Sequence, residues 1–135
     1  MPSIHVCLVS AQPLPNLIPV IAYRPEKVHL LVSEKMKQQA VRLTSFLRRF
    51  GCKCVEHPID PYSMVQVEEI CHAILKQAEP DSIALNATGG TKISAFGAFA
   101  AFRQQGFPIF YFDPEKWRIV HLDSSGIPSQ ELVAE

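Results

Sequence analysis

Residues 82–86 read Ser-Ile-Ala-Leu-Asn, 87–92 read Ala-Thr-Gly-Gly-Thr-Lys, and 93–105 read Ile-Ser-Ala-Phe-Gly-Ala-Phe-Ala-Ala-Phe-Arg-Gln-Gln. Gly106 follows, and then Phe-Pro-Ile-Phe-Tyr-Phe over 107–112. This is a short apolar run, a glycine turn, a helix-length segment closed by glycine, and a second short apolar run. Two buried strands joined by a crossover helix read in this way, and such a unit forces its strands to lie parallel. The rest of the chain repeats the alternation. Strands are expected at Ile4–Val9, Lys27–Val32 and Cys52–His57, with Trp117–Leu122 returning as a hairpin on Phe107–Phe112. A short helix is expected around Leu17–Ala22. A longer one starts at Glu34, with Met36, Ala40, Leu43, Leu47 and Phe50 on one face and Gly51 as its stop. Asp60-Pro61 reads as the N-cap and first residue of a helix whose inner face is Met64, Val67, Cys71, Ile74 and Ala78. The expectation is a Rossmann-like, doubly wound α/β fold. Its sheet has six mostly parallel strands, with an antiparallel hairpin at the C-terminal edge. Residues 1–123 form the domain, and the polar stretch 124–135 is read as a tail or a truncated linker.

The chain has 135 residues, with 13 Lys+Arg against 13 Asp+Glu, so its net charge is zero. One domain fits that length. The balance argues against broad binding to duplex nucleic acid or to an acidic membrane. No apolar run approaches the roughly 20 residues of a spanning helix, and the N-terminus does not read as a secretory signal. Cys7, Cys52, Cys54 and Cys71 lack C-x-x-C spacing. Cys52 and Cys54 with His57 leave a tetrahedral metal site one ligand short. Buried thiols in a reducing cytoplasm are expected, with no disulfide, no metal and no cofactor.

In an open α/β sheet, ligands sit beyond the carboxyl ends of the strands, where strand order reverses. The polar loops after the first and fourth strands meet there. Ser10, Gln12 and Asn16 should face Asn86, Thr88, Gly89, Gly90, Thr91 and Lys92. Gly89-Gly90 permits positive φ, the next helix offers free N–H groups, and Lys92 adds a charge, which together describe a phosphate-binding turn. Neither the Walker A pattern nor G-x-G-x-x-G is present, which disfavours P-loop ATP and NAD chemistry. The plainer reading is a helix cap with a tight connection. His5, His29 and His121 fall in strands and read as core or edge residues. His72 and Glu68-Glu69 read as helix surface, Tyr62 and Trp117 as packing residues, and Asp113 as part of an Asp-Pro turn. The helix Ile93–Gln105 is apolar around nearly its whole circumference over Ile93–Phe102. An outer helix of this kind predicts a homodimer interface.

Asn86-Ala87-Thr88-Gly89-Gly90-Thr91-Lys92, together with Ser10-Ala11-Gln12 and Pro15-Asn16, resembles the CARF (CRISPR-associated Rossmann fold) domain. The resemblance runs through the chain up to Asp123 in motif order and strand count. It is greatest to the CARF domain of CRISPR accessory nucleases that continue into a restriction-endonuclease-like domain. It implies a homodimer that binds a cyclic oligoadenylate, most often the tetra-adenylate, across its two-fold axis. By position, Ser10, Gln12 and Asn16 would contact ribose or phosphate, and Asn86, Thr88, Gly89, Gly90, Thr91 and Lys92 would cradle phosphates. The effector domain of such nucleases does not follow here, so the expectation divides between a fragment and a free-standing protein. A free-standing CARF protein could cleave the ring without metal. Lys92 would then stabilise charge and Ser10 would position the phosphate. The alternatives are a non-catalytic sensor and a structural interaction module.

Overall fold

A computed structural model describes residues 1–79, 81–122 and 128–132, the last five through their backbone pairing. The strands are β1 (Ile4–Leu8), β2 (Lys27–Val32), β3 (Lys53–Pro58), β4 (Ile83–Asn86), β5 (Ile109–Asp113), β6 (Arg118–Leu122) and β7 (Pro128–Leu132). The helices are α1 (Leu14–Tyr23), α2 (Lys37–Arg48), α3 (Met64–Lys76) and α4 (Lys92–Gln104), with a 3-10 turn at Glu34–Met36 before α2. The sheet order is β3-β2-β1-β4-β5-β6-β7. Pairing is parallel from β3 to β5 and antiparallel for β5–β6 and β6–β7. This is the doubly wound α/β architecture, and its order reverses between β1 and β4.

The six expected strands are all present, and β7 is an addition. Pro128–Leu132 pairs along β6, within the stretch expected to be a polar tail. Its sequence, Pro-Ser-Gln-Glu-Leu, has no apolar alternation to betray a strand. The sheet therefore extends past the domain limit expected at Asp123. The rest of the expected tail lies outside the described residues.

Each face of the sheet has its own core. Val6 and Leu8 of β1, Leu85 of β4 and Ile109 of β5 pack with Val67, Cys71, Ala98, Ala101 and Phe102 beneath α3 and α4. On the other face, Cys7, Val28, Leu30 and Val32 meet Val20, Ala40, Leu43 and Leu47 of α1 and α2. Residues alternate between the two cores along β1, as the pleat requires. Gly97 lets α3 and α4 touch: a Cβ there would lie 2.7 Å from the Met64 carbonyl oxygen.

Two helix starts differ from expectation. The carboxylate of Asp60 accepts from Tyr62 N at 3.0 Å, forming a turn before the helix, and Ser63 caps α3 by accepting from Gln66 N. Asp bonds readily to a backbone N–H two residues on, which here displaces it from the cap. Helix α1 begins earlier than expected, because a proline in the first turn loses no intrahelical hydrogen bond. Among the described residues, no helix is long and apolar enough to cross a membrane.

Candidate functional site

Helix α4 is capped by Thr91, whose Oγ1 accepts from Ser94 N at 3.1 Å. Ala95 N bonds to the Thr91 carbonyl. Among the described residues, no acceptor meets the backbone N–H of Gly89, Gly90, Lys92 or Ile93. Gly89 and Gly90 have φ of 88° and 70°. A Cβ at Gly89 would stand 3.1 Å from both Leu8 O and Ser10 Oγ, and one at Gly90 would stand 2.8 Å from Ser94 Oγ. Left-handed backbone and crowding together exclude a side chain at either position. The result is a row of unpaired donors at the positive end of a 13-residue helix, which suits an anion.

A cleft of ≈ 410 Å³ opens beside this row at the carboxyl ends of β1, β2 and β3. Ser10, Gly90 and Thr91 line it. So do Ser33, Glu34 and Lys35, which precede α2, and Tyr62, which precedes α3. Sequence reasoning did not place these last four residues in the site. The only available signal was position, since each follows a strand at its carboxyl end. Tyr62 is 71% exposed and so does not serve as the packing residue expected. A second depression of ≈ 280 Å³ lies across the loop after β1, where Ser10 and Asn16 meet Gln39 and Arg42. Ser10 thus borders both hollows, and its Oγ donates to Gln12 O at 2.9 Å.

The expected binding residues divide by burial. Lys92 is exposed at the first position of α4, and Gln12 is exposed on its loop. Asn16, Asn86 and Thr88 are buried, and their side chains hold the loops together. Asn16 Nδ2 donates to Leu8 O at 3.0 Å. Asn86 Oδ1 accepts from Thr88 N at 3.0 Å, and Thr88 Oγ1 accepts from Phe112 N at 2.7 Å. Asn86 Nδ2 donates to Pro15 O at 2.9 Å. Pro19 explains that last bond. Lacking an N–H, it cannot satisfy the carbonyl four residues back, and Asn86 does so from the neighbouring loop. These three residues therefore shape the site by holding its loops together.

The other candidates have settled roles. His5 is fully buried between Tyr23 and Phe110, with neither ring nitrogen partnered, and burial chiefly pushes its pKa down to about 4. His29 Nδ1 and His57 Nε2 stand 2.8 Å apart. Glu68 and His72 lie on the helix surface, as expected, and there link α3 to the end of α4: Glu68 accepts from Gln104 Nε2 at 3.1 Å, and His72 pairs with Gln105. Trp117 packs edge-on against Phe112, and Asp113 accepts from Glu115 N and Lys116 N in its turn. All four cysteines are free thiols, and burial drives Cys7 and Cys71 up to about 12. Among the described residues, no three His, Cys, Asp or Glu side chains converge to hold a metal ion.

A doubly wound sheet with a row of unpaired amide donors at its switch point defines a Rossmann-type domain. The Card1 CARF domain family matches residues 4–127, and the chain belongs to that family. Among solved structures, Can2 from Sulfobacillus thermosulfidooxidans in complex with cyclic tetra-adenylate is 37% identical, with a TM-score of 0.88. The match covers 97% of this chain and 37% of that one. A type III CRISPR defence DNA nuclease activated by cyclic oligoadenylate superposes with a TM-score of 0.81 at 22% identity, covering 98% of this chain and 21% of that one. The protein VC1899 from Vibrio cholerae gives 0.79 at 19%, covering 96% and 35%. At those identities the last two show the fold alone. The chain spans little more than a third of these proteins at most. No curated protein matches it.

Proposed function

We propose that this domain binds a cyclic oligoadenylate, cyclic tetra-adenylate first, and cleaves it without metal. One observation carries the reading: the unpaired N–H groups of Gly89, Gly90, Lys92 and Ile93 lie beside an exposed Lys92 at the switch point. Can2, the 37% identical neighbour, is a complex with that ring. Phosphodiesters of the ring bind the amide row and Lys92, while Ser10 and Gln12 meet ribose or phosphate. Asn16, Asn86, Thr88 and Thr91 hold the two loops in register.

The binding unit is a homodimer with the ring across its two-fold axis. Tyr62, Val65 and Phe96 support this, being 71%, 67% and 59% exposed on the adjoining starts of α3 and α4. So much uncovered apolar surface on one ridge favours a second copy over water. The protein acts in the cytoplasm.

Cleavage is an in-line attack by a ribose 2′-oxygen on the adjacent phosphorus. The bond to the 5′-oxygen breaks, leaving a 2′,3′-cyclic phosphate and a 5′-hydroxyl. The attacking hydroxyl loses its proton to solvent, and the leaving oxygen gains one. The amide row and Lys92 stabilise charge gathering on the non-bridging oxygens. Ser10 aligns the phosphate. A second reading, a sensor that returns the ring intact, is favoured by a cleft lining that, among the described residues, holds no histidine.

Single-turnover incubation with cyclic tri-, tetra- and hexa-adenylate, read by mass spectrometry, separates the two. Cyclic-phosphate products from the tetra-adenylate are expected. Lys92→Ala should slow cleavage by about 100-fold, as loss of one charge-stabilising donor does, while retaining weakened binding. Intact ligand at full occupancy establishes the sensor, and no binding of any ring at micromolar concentration refutes both readings.

A further inference from the structure

A second cavity of ≈ 410 Å³ lies on the α3 side of the sheet, away from the ligand cleft. Its walls are largely aliphatic, including Ile4 and Ile83 at the starts of β1 and β4 and Ile70 and Ile74 of α3. Four polar groups also line it: Lys27, His29, His57 and Gln77. Lys27, His29 and His57 stand on one face of neighbouring strands β2 and β3. Among the described residues, no carboxylate lines the cavity and none pairs with Lys27.

The two imidazoles limit what the pocket can accept. One N–H lies between them in the 2.8 Å contact, so two neutral rings leave one outward N–H and one outward lone pair. Burial, then the neighbouring His57 and the Lys27 charge, hold the His29 pKa down to about 4, and burial and Lys27 lower that of His57 as well, so the pair stays neutral at physiological pH. The pocket then presents the Lys27 ammonium, an imidazole donor and a carboxamide above an apolar floor. Pockets of this size, with apolar walls and a few convergent polar groups, are the usual form of small-molecule sites.

We propose that this cavity binds a small organic carboxylate, with the apolar body against the isoleucines beneath α3 and the carboxylate at Lys27. A single fixed cation matches a monoanion better than a phosphate dianion. Gln77 and the outward imidazole N–H complete the carboxylate's hydrogen bonds. The site shares no residue with the cyclic-oligoadenylate cleft and does not rest on that reading.

The probes are hexanoate, hexylammonium, 1-hexanol and inorganic phosphate, each titrated into the full chain. Binding is followed by NMR of isoleucine methyls and histidine ring protons. Saturable shifts at Ile70, Ile74, His29 and His57 are expected with hexanoate. The alcohol and the amine should bind about tenfold more weakly, the scale of one charge-assisted contact. Lys27→Met and Lys27→Gln should each remove that preference for hexanoate over 1-hexanol. Equal binding of hexanoate and 1-hexanol to the unaltered chain overturns the proposal. So do hexanoate shifts confined to other residues, or phosphate binding there more tightly than hexanoate.

Discussion

His5 sets a pH limit on stability. Its imidazole is fully buried with both nitrogens unpartnered, and burial chiefly holds its folded pKa at about 4, below the ordinary value of 6.5. The folded state therefore resists protonation and the unfolded state does not. The stabilisation is complete above pH 6.5 and is lost as pH falls toward 4, by up to roughly 3 kcal/mol. Urea midpoints taken from pH 7.5 to 4.5 should fall along this slope. His5→Leu should flatten the fall while keeping the fold. Asn86 is the other informative single residue. Replacing it by Leu leaves the Pro15 carbonyl and the Thr88 N–H buried without partners, which costs about 2–4 kcal/mol for the two groups. Thermal melts of Asn86→Leu should show that loss, and ring affinity should fall with it because the loops lose their register.

Helix α4 excludes a side chain at two places, for different reasons. Its start needs glycines, and Gly89→Ala should abolish ring binding. The new Cβ meets Ser10 Oγ and Leu8 O at 3.1 Å, at a φ of 88° that alanine resists. Isothermal titration against cyclic tetra-adenylate reads this, with circular dichroism confirming that the helix persists. Farther along, Gly97→Ala sets a gain in helix propensity of about 1 kcal/mol against a clash with the Met64 carbonyl. The clash should win, because the 2.7 Å neighbour is backbone and cannot rotate away. A lower melting temperature is the expected outcome.

The elements were legible to the extent that periodicity governs them. The strand runs, the glycine stops and the apolar α4 all announce themselves in the sequence. The α3 cap was misplaced because Asp60 and Ser63 are both competent caps, and only the three-dimensional turn decides between them. Strand β7 was missed because edge pairing can be specified by backbone alone. Within the site, the donor turn could be read from Gly89-Gly90. The separation of contact residues from scaffold residues could not, because Asn16, Asn86 and Thr88 look like ligand donors until burial is known.

At the scale of the whole molecule, one open sheet carries different surfaces at different places. The carboxyl ends of its strands hold the amide row, and the adjoining starts of α3 and α4 hold the exposed apolar ridge. Under the proposed function, a ridge beside the site would make assembly and ligand capture interdependent. Phe96→Glu should give a monomeric mass by light scattering and weaken ring binding at least tenfold, since half of each ring's contacts would be missing. A dimer of unchanged mass in this variant would put the interface elsewhere.

The bond from Asn86 to the carbonyl freed by Pro19 ties the histories of two distant positions together. Restoring an amide at 19 gives the Pro15 carbonyl a donor from its own helix while Asn86 keeps its bond from Thr88 N; altering 86 first strands that carbonyl. The change at 86 is the costly one, so a substitution there should follow one at 19 rather than precede it.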